Sequence, residues 1–224
     1  MRELQTVLDA CRQHDVEVFV IGGFGVRAYG SLLRRTFDLD LAVELKNWPA
    51  LAEVLEAHGY RLSSAGIWAT AIKGEGESAV EIHLALDNVT DVQSALSYPV
   101  HVESGARQPL SDLGVILPVF TLEGLLITKL LALRDNDVVD IVALLSRHAE
   151  RVSAGRFWKH AIAAGLEPPL RDRLAEIREI VQSGEVDAIW WDRLGLTLDD
   201  AERRATLRTI RRLQRHTLEG GDAA

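Results

Sequence analysis

The chain has 224 residues, of which 47% are hydrophobic and 26% charged, and its 25 basic and 33 acidic side chains give a formal net charge of −8. That apolar content excludes a disordered or collagen-like chain, and the acidity excludes a protein that coats nucleic acid through bulk positive charge. The single cysteine, Cys11, excludes an intramolecular disulfide and a cysteine-built zinc site, and fits a reducing compartment.

Leu4, Val7, Leu8 and Cys11 recur at helical spacing, which predicts a helix over residues 3–14. The apolar run 16–21 that follows predicts a buried strand ending at Gly22-Gly23. This run is too short to span a bilayer and has no basic lead-in, so the expected setting is cytoplasmic, with no membrane partner. Helical pattern resumes over 24–33. Residues 37–43 then alternate apolar and acidic side chains, the period of a half-buried strand. A helix is expected over 49–58, with Pro49 in its first turn and Gly59 past its end. Further strands are expected over 60–61, 67–72 and 79–86, the last two joined by the GEGES turn at 74–78.

Residues 87–113 carry mixed signals: polar turns, a short helix near 92–96 and a strand near 100–102. From Thr121 onward everything reads as helix, over 121–134, 137–148, 155–164, 169–182, 185–193 and 199–217. The expected fold class is therefore α+β: an N-terminal mixed sheet flanked by helices, followed by a C-terminal helical bundle. Domains are expected at 1–118 and 119–224, joined near Pro118. Trp190-Trp191 is expected to form a buried aromatic pair between helices, with a partner surface as the alternative.

Charge divides unevenly along the chain. Residues 1–120 hold nine basic and sixteen acidic side chains, net −7, whereas 121–224 are nearly balanced at net −1. In the last helix Arg204, Arg208, Arg211 and Arg215 recur at spacings that place them on one face. Such a row is either a solvated outer face or a stripe that contacts phosphates.

Four short motifs carry chemistry. Gly22-Gly23, placed between a strand and a helix, lets a backbone approach a phosphate closely at a helix N-terminus. Asp38 and Asp40, two apart on one strand, put two carboxylates side by side. Their mutual repulsion is relieved by a divalent cation such as Mg²⁺, which commonly binds one or two carboxylates plus phosphate oxygens. Glu81 and His83 share a face of a later strand, where either could extend that metal cluster; the alternatives are that Glu81 simply faces solvent and that His83 is a satisfied polar residue. Lys129, one of four lysines against 21 arginines, lies in an otherwise apolar helix and needs an anionic partner. Asp137 and Asp140 of the next helix, or a nucleotide phosphate, are the alternatives.

Taken in order, these motifs resemble the DNA polymerase β-type nucleotidyltransferase superfamily. Within it they resemble the AbiEii-type and MenT-like toxins of bacterial type IV toxin–antitoxin systems. The resemblance covers about residues 16–145 and rests on Gly22 to Gly30, Asp38-Leu39-Asp40, Lys129 to Ala132 and Asp137 to Ile141. The sequence departs from the pattern at Gly23, where serine is frequent. The resemblance implies Mg²⁺-dependent transfer of a nucleoside monophosphate from an NTP to an acceptor hydroxyl, with Mn²⁺ as an alternative metal. Asp38, Asp40 and Glu81 would hold metal, and Gly22, Gly23, Arg35 and Lys129 would bind the triphosphate. Asp38, Asp40, Lys129 and Asp137 would be catalytic. The implied acceptor is the tRNA 3′ end and the implied protein partner a cognate antitoxin. A small antibiotic acceptor of the aminoglycoside or lincosamide kind, and a non-catalytic nucleotide-binding regulator, are the alternatives.

Overall fold

The computed structural model describes residues 2–30, 36, 38–76, 79–110 and 114–216, the side chains of 2–4 aside. Its chain divides into two compact units. One holds the chain through Gly30, then Thr36–Thr90 and Pro99–Thr121; the other holds Asp91–Tyr98 and the chain from Leu122 onward.

The first unit is built on a mixed seven-stranded sheet. Its strands are β1 (Phe19–Val20), β2 (Leu39–Val43), β3 (Arg61–Ala65), β4 (Trp68–Lys73), β5 (Val80–Leu86), β8 (Ala106–Leu110) and β9 (Val115–Val119). Two short strands, β6 (Asn88–Thr90) and β7 (Ser97–Pro99), complete the chain order. The sheet runs β3-β4-β5-β2-β1-β9-β8. β2 lies parallel to β5 and antiparallel to β1, and β1 lies parallel to β9. Helix α1 (Arg2–Gln13) turns Val7, Leu8 and Cys11 inward. Helix α2 (Gly22–Ala28) leaves the end of β1, and α3 (Trp48–Ala57) buries Leu51, Val54 and Leu55. Tyr29 donates its hydroxyl to the Phe120 carbonyl at 2.9 Å, tying the end of α2 to the exit of β9.

The second unit is helical: α4 (Leu122–Ala132), α5 (Asp135–Arg147), α6 (Ala154–Ala163), α7 (Glu167–Ser183), α8 (Glu185–Leu194) and α9 (Asp200–Arg215). α4 is apolar apart from Glu123, Thr128 and Lys129 and is buried on nearly every side, as an enclosed helix is, and it packs against α5, α6 and α7. α9 lies along α5, with the Thr206 and Thr209 hydroxyls donating to the carbonyls of Val142 and Leu145. Its N-cap is Asp199, which accepts the Glu202 amide at 2.7 Å. Trp158 of α6 donates its indole N–H to the Leu213 carbonyl at 2.8 Å.

Several expectations are corrected. α2 begins at Gly22 rather than residue 24. Residues 92–94 form a turn rather than a helix: buried Asp91 caps the turn by accepting from the Ser94 amide and hydroxyl, each at 2.8 Å, but Ala95 at φ +56 leaves the helical region and ends it there. Val100–Val102 is a short 3-10 turn, not a strand. β8 and β9 are strands where the sequence suggested none, their pattern being masked by Pro109 and Pro118. Trp190 is buried at 1% exposure but Trp191 stands 62% exposed, because consecutive helical residues point about 100° apart and α8 buries only the face that carries Val186 and Trp190.

Candidate active site

Strand alternation assembles the polar face of the first unit. On β2, Leu39 and Leu41 are buried and Asp40 between them is half-buried. On β5, Ile82 and Leu84 are buried, whereas Glu81 is exposed and His83 half-buried. The parallel register sets Asp40 opposite His83. The imidazole stands between two carboxylates, with Nε2 at 3.1 Å from Glu81 Oε1 and Nδ1 at 3.4 Å from Asp40 Oδ1. Asp40 is the main cause that lifts the His83 pKa to about 9, and Glu81 adds to it against partial burial. At neutral pH His83 is therefore an imidazolium on this face.

The turn after β1 closes onto the same carboxylate. The Ile21 amide donates to the Asp40 carbonyl at 2.9 Å, and Gly22 follows at φ +59. A β-carbon on Gly22 would fall 2.8 Å from Asp40 Cγ and closer still to Oδ2, so glycine alone permits this approach. A β-carbon on Gly23 would fall 2.6 Å from Thr36 Oγ1. The threonine side chain fills the room that a serine at residue 23 would need. Nothing in the sequence flagged Thr36, because its place over Gly23 depends on how the chain returns to β2. Asp38 is exposed immediately before β2. Arg35 lies outside the described residues.

Lys129 and Asp137 belong to the second unit. Lys129 Nζ lies 2.8 Å from Asp137 Oδ1 and 2.9 Å from Asp140 Oδ2, and all three residues are buried. Burial opposes the ammonium charge, but the two carboxylates outweigh it and raise the lysine pKa above its ordinary value. Asp137 Oδ2 also accepts the Arg134 backbone N–H at 3.3 Å, in the first turn of α5. The side chains singled out in sequence thus gather in two sets. One is Asp40 and Glu81, linked by His83 and backed by Gly22; the other is Lys129 with Asp137 and Asp140.

Among the described residues no three His, Cys, Asp or Glu side chains are grouped to enclose a metal ion. Asp38 and Asp40 supply two carboxylates, a donor set that fits a magnesium ion taking its remaining ligands from substrate phosphates and water. Glu81 is already engaged by His83. No helix among the described residues is long and apolar enough to cross a membrane.

A family described as uncharacterised nucleotidyltransferase matches residues 1–182. Among solved structures, JHP933 from Helicobacter pylori superposes with a TM-score of 0.54 at 12% identity, covering 94% of this chain and 88% of its own. A second H. pylori protein, provisionally described as a nucleotidyltransferase, gives 0.52 at 12% identity and covers 94% and 91%. At that identity the likeness is one of fold. No curated protein matches the chain.

Proposed function

Because the chain belongs to the family of uncharacterised nucleotidyltransferases, we propose that this nucleotidyltransferase moves a nucleoside monophosphate from a magnesium-bound NTP onto the 3′-terminal hydroxyl of tRNA. In this reading it acts as the AbiEii/MenT-like toxin of a toxin–antitoxin pair. The observation that carries the reading is the closeness of the Gly22 turn to the Asp40 carboxylate. Backbone that can meet phosphate oxygens lies beside a carboxylate that can meet their counter-ion.

Magnesium held by Asp38 and Asp40 would supply charge neutralisation at the α-phosphate and its leaving group. The acceptor oxygen bonds to the α-phosphorus as the α–β bridging bond breaks and pyrophosphate leaves. Glu81 or Asp137 takes the hydroxyl proton or extends the metal site. Asp137 has less spare acceptor capacity, since Lys129 and the Arg134 amide already occupy its two oxygens. Gly22 and Gly23 bind the β- and γ-phosphates, with Arg35 as a further contact. Lys129 offsets triphosphate charge if it exchanges a carboxylate for a phosphate oxygen.

The test incubates the protein with Mg²⁺, one α-labelled NTP at a time and total bacterial tRNA, beside Asp40→Asn. Label on tRNA that the variant does not produce is the expected result. The excess acidity of residues 1–120, net −7, favours a second reading with a small cationic acceptor. Bound Mg–NTP with no labelled tRNA would move the reading there, and absence of Mg–NTP binding would sink both.

A further inference from the structure

The last helix uses its arginines in two distinct ways. Arg203, half-buried, and Arg212, exposed, both bond back onto the protein: Arg203 donates to the Val181 carbonyl at 2.8 Å and pairs with Asp187, and Arg212 donates to the Val152 carbonyl at 2.8 Å and to that of Ala149. Both serve packing, as helix-to-carbonyl ties. Arg204, Arg208, Arg211 and Arg215 do the opposite and are all exposed. They fall on the side of α9 facing away from its buried residues, Thr206, Thr209, Ile210 and Leu213. Over eleven residues the row is about 16 Å long.

Helical neighbours three and four apart have Cβ atoms about 5–6 Å apart, so like charges there repel. Arg208 has arginine at i−4, i+3 and i+4, and Arg211 has arginine at i−3 and i+4. Among the described residues the one acid within 4.0 Å of the row's guanidinium groups is Asp200, beside Arg204 at the N-terminal end. A merely solvated helix face would relieve such repulsion with interspersed acids. In a chain of net charge −8, four aligned guanidinium groups left facing water are complementary to a polyanion. The even spacing along one line fits a sugar–phosphate strand, whose charges also repeat at short, regular intervals. Guanidinium further suits phosphate because its planar fork can donate two parallel hydrogen bonds. The row lies beyond residue 182, where the family match ends.

We propose that Arg204, Arg208, Arg211 and Arg215 form a docking rail for the phosphate backbone of a structured RNA. The proposal deepens the acceptor reading above and rests on it for the kind of RNA. The rail carries affinity without reading bases, since contacts to phosphate hold no sequence information.

The test uses the full chain and Arg208→Ser/Arg211→Ser/Arg215→Ser, with total bacterial tRNA as probe and affinity measured across a salt series. Three lost phosphate contacts should flatten the plot of log affinity against log salt by about 2–3 units and weaken binding at least tenfold at low salt. Because all three side chains are exposed, the melting temperature should hold, and Arg208→Lys/Arg211→Lys/Arg215→Lys should restore most of the salt slope. An unchanged slope in the serine variant would overturn the rail while leaving transfer to tRNA standing. Loss of the slope with no label transferred by the wild type would uphold the rail and overturn the acceptor reading. Polyglutamate of matched charge that displaces tRNA in equal measure would overturn the rail in favour of an acidic protein segment.

Discussion

Gly22 and His83 are the two residues on which the Asp40 carboxylate depends. Replacing Gly22 by alanine adds a β-carbon inside contact distance of that carboxylate, at a φ of +59 that L-residues rarely adopt. The carboxylate must then move. A displacement near 1 Å at a reacting group lowers rate by roughly 100-fold. Gly22→Ala should therefore lose transfer activity by about that factor and melt lower than the parent, both measurable on one preparation. His83 gives a pH signature. Its folded pKa of about 9 exceeds the unfolded value near 6.5, so its contribution to stability is fully present below pH 6.5 and is lost as pH rises through 9. The side chain is 43% exposed, and solvent screening keeps that contribution below ~1 kcal/mol. Proton NMR titration of the ring should place its midpoint near 9, and Asp40→Asn should return it toward 6.5. A midpoint near 6.5 in the parent would contradict the bridge between Asp40 and Glu81.

α4 and α5 share a buried cluster of one ammonium and two carboxylates in the second unit. Removing the Lys129 ammonium leaves two carboxylates in a buried place without their counter-charge, a change that typically destabilises by about 3–5 kcal/mol. Lys129→Met should lower the urea midpoint accordingly, and Lys129→Met/Asp137→Asn/Asp140→Asn should recover much of the loss. Activity lost in the single variant therefore speaks to folding first; the triple variant, once stable, reports on chemistry. That an apolar helix with one lysine needed an anion was legible from Lys129 alone. Which anion it has here was not, because Asp137 serves two masters: the ammonium and the first turn of its own helix. The helices themselves were legible because their apolar spacing is local and their ends are marked by Ser153, Gly184, Gly195 and Asp199. β8 and β9 were not. Pro109 sits on an edge strand, where a missing amide is tolerated, and Pro118 interrupts a run that otherwise reads as strand.

At the scale of the whole molecule, the sequence suggested one join near Pro118, and the chain instead sends Asp91–Tyr98 into the helical unit before returning to the sheet. The ties that hold this segment lie far along the sequence: Arg134 donates to Asp91 at 2.7 Å and Ser94 to the Leu131 carbonyl at 3.4 Å. No local pattern encodes such partners. The same is true of the face that joins Asp40 to His83, which depends on the register of β2 with β5 rather than on either strand. A fragment of residues 1–118 lacks Leu131 and Arg134, so its Ser94 amide should exchange with deuterium far faster than in the full chain. Equal protection would show that the segment holds itself. The strand order also sets a timetable for synthesis. β2 and β5 can pair once residue 86 has left the ribosome, whereas β1 keeps one side bare until β9 arrives to set Val20 against Val119. A nascent chain paused between those two points presents an open strand beside the Gly22 turn, the kind of edge that recruits chaperones or other strands. Slow codons decoded while the emerged chain ends between residue 86 and β9 would lengthen that exposure and lower the yield of native protein without altering one amino acid.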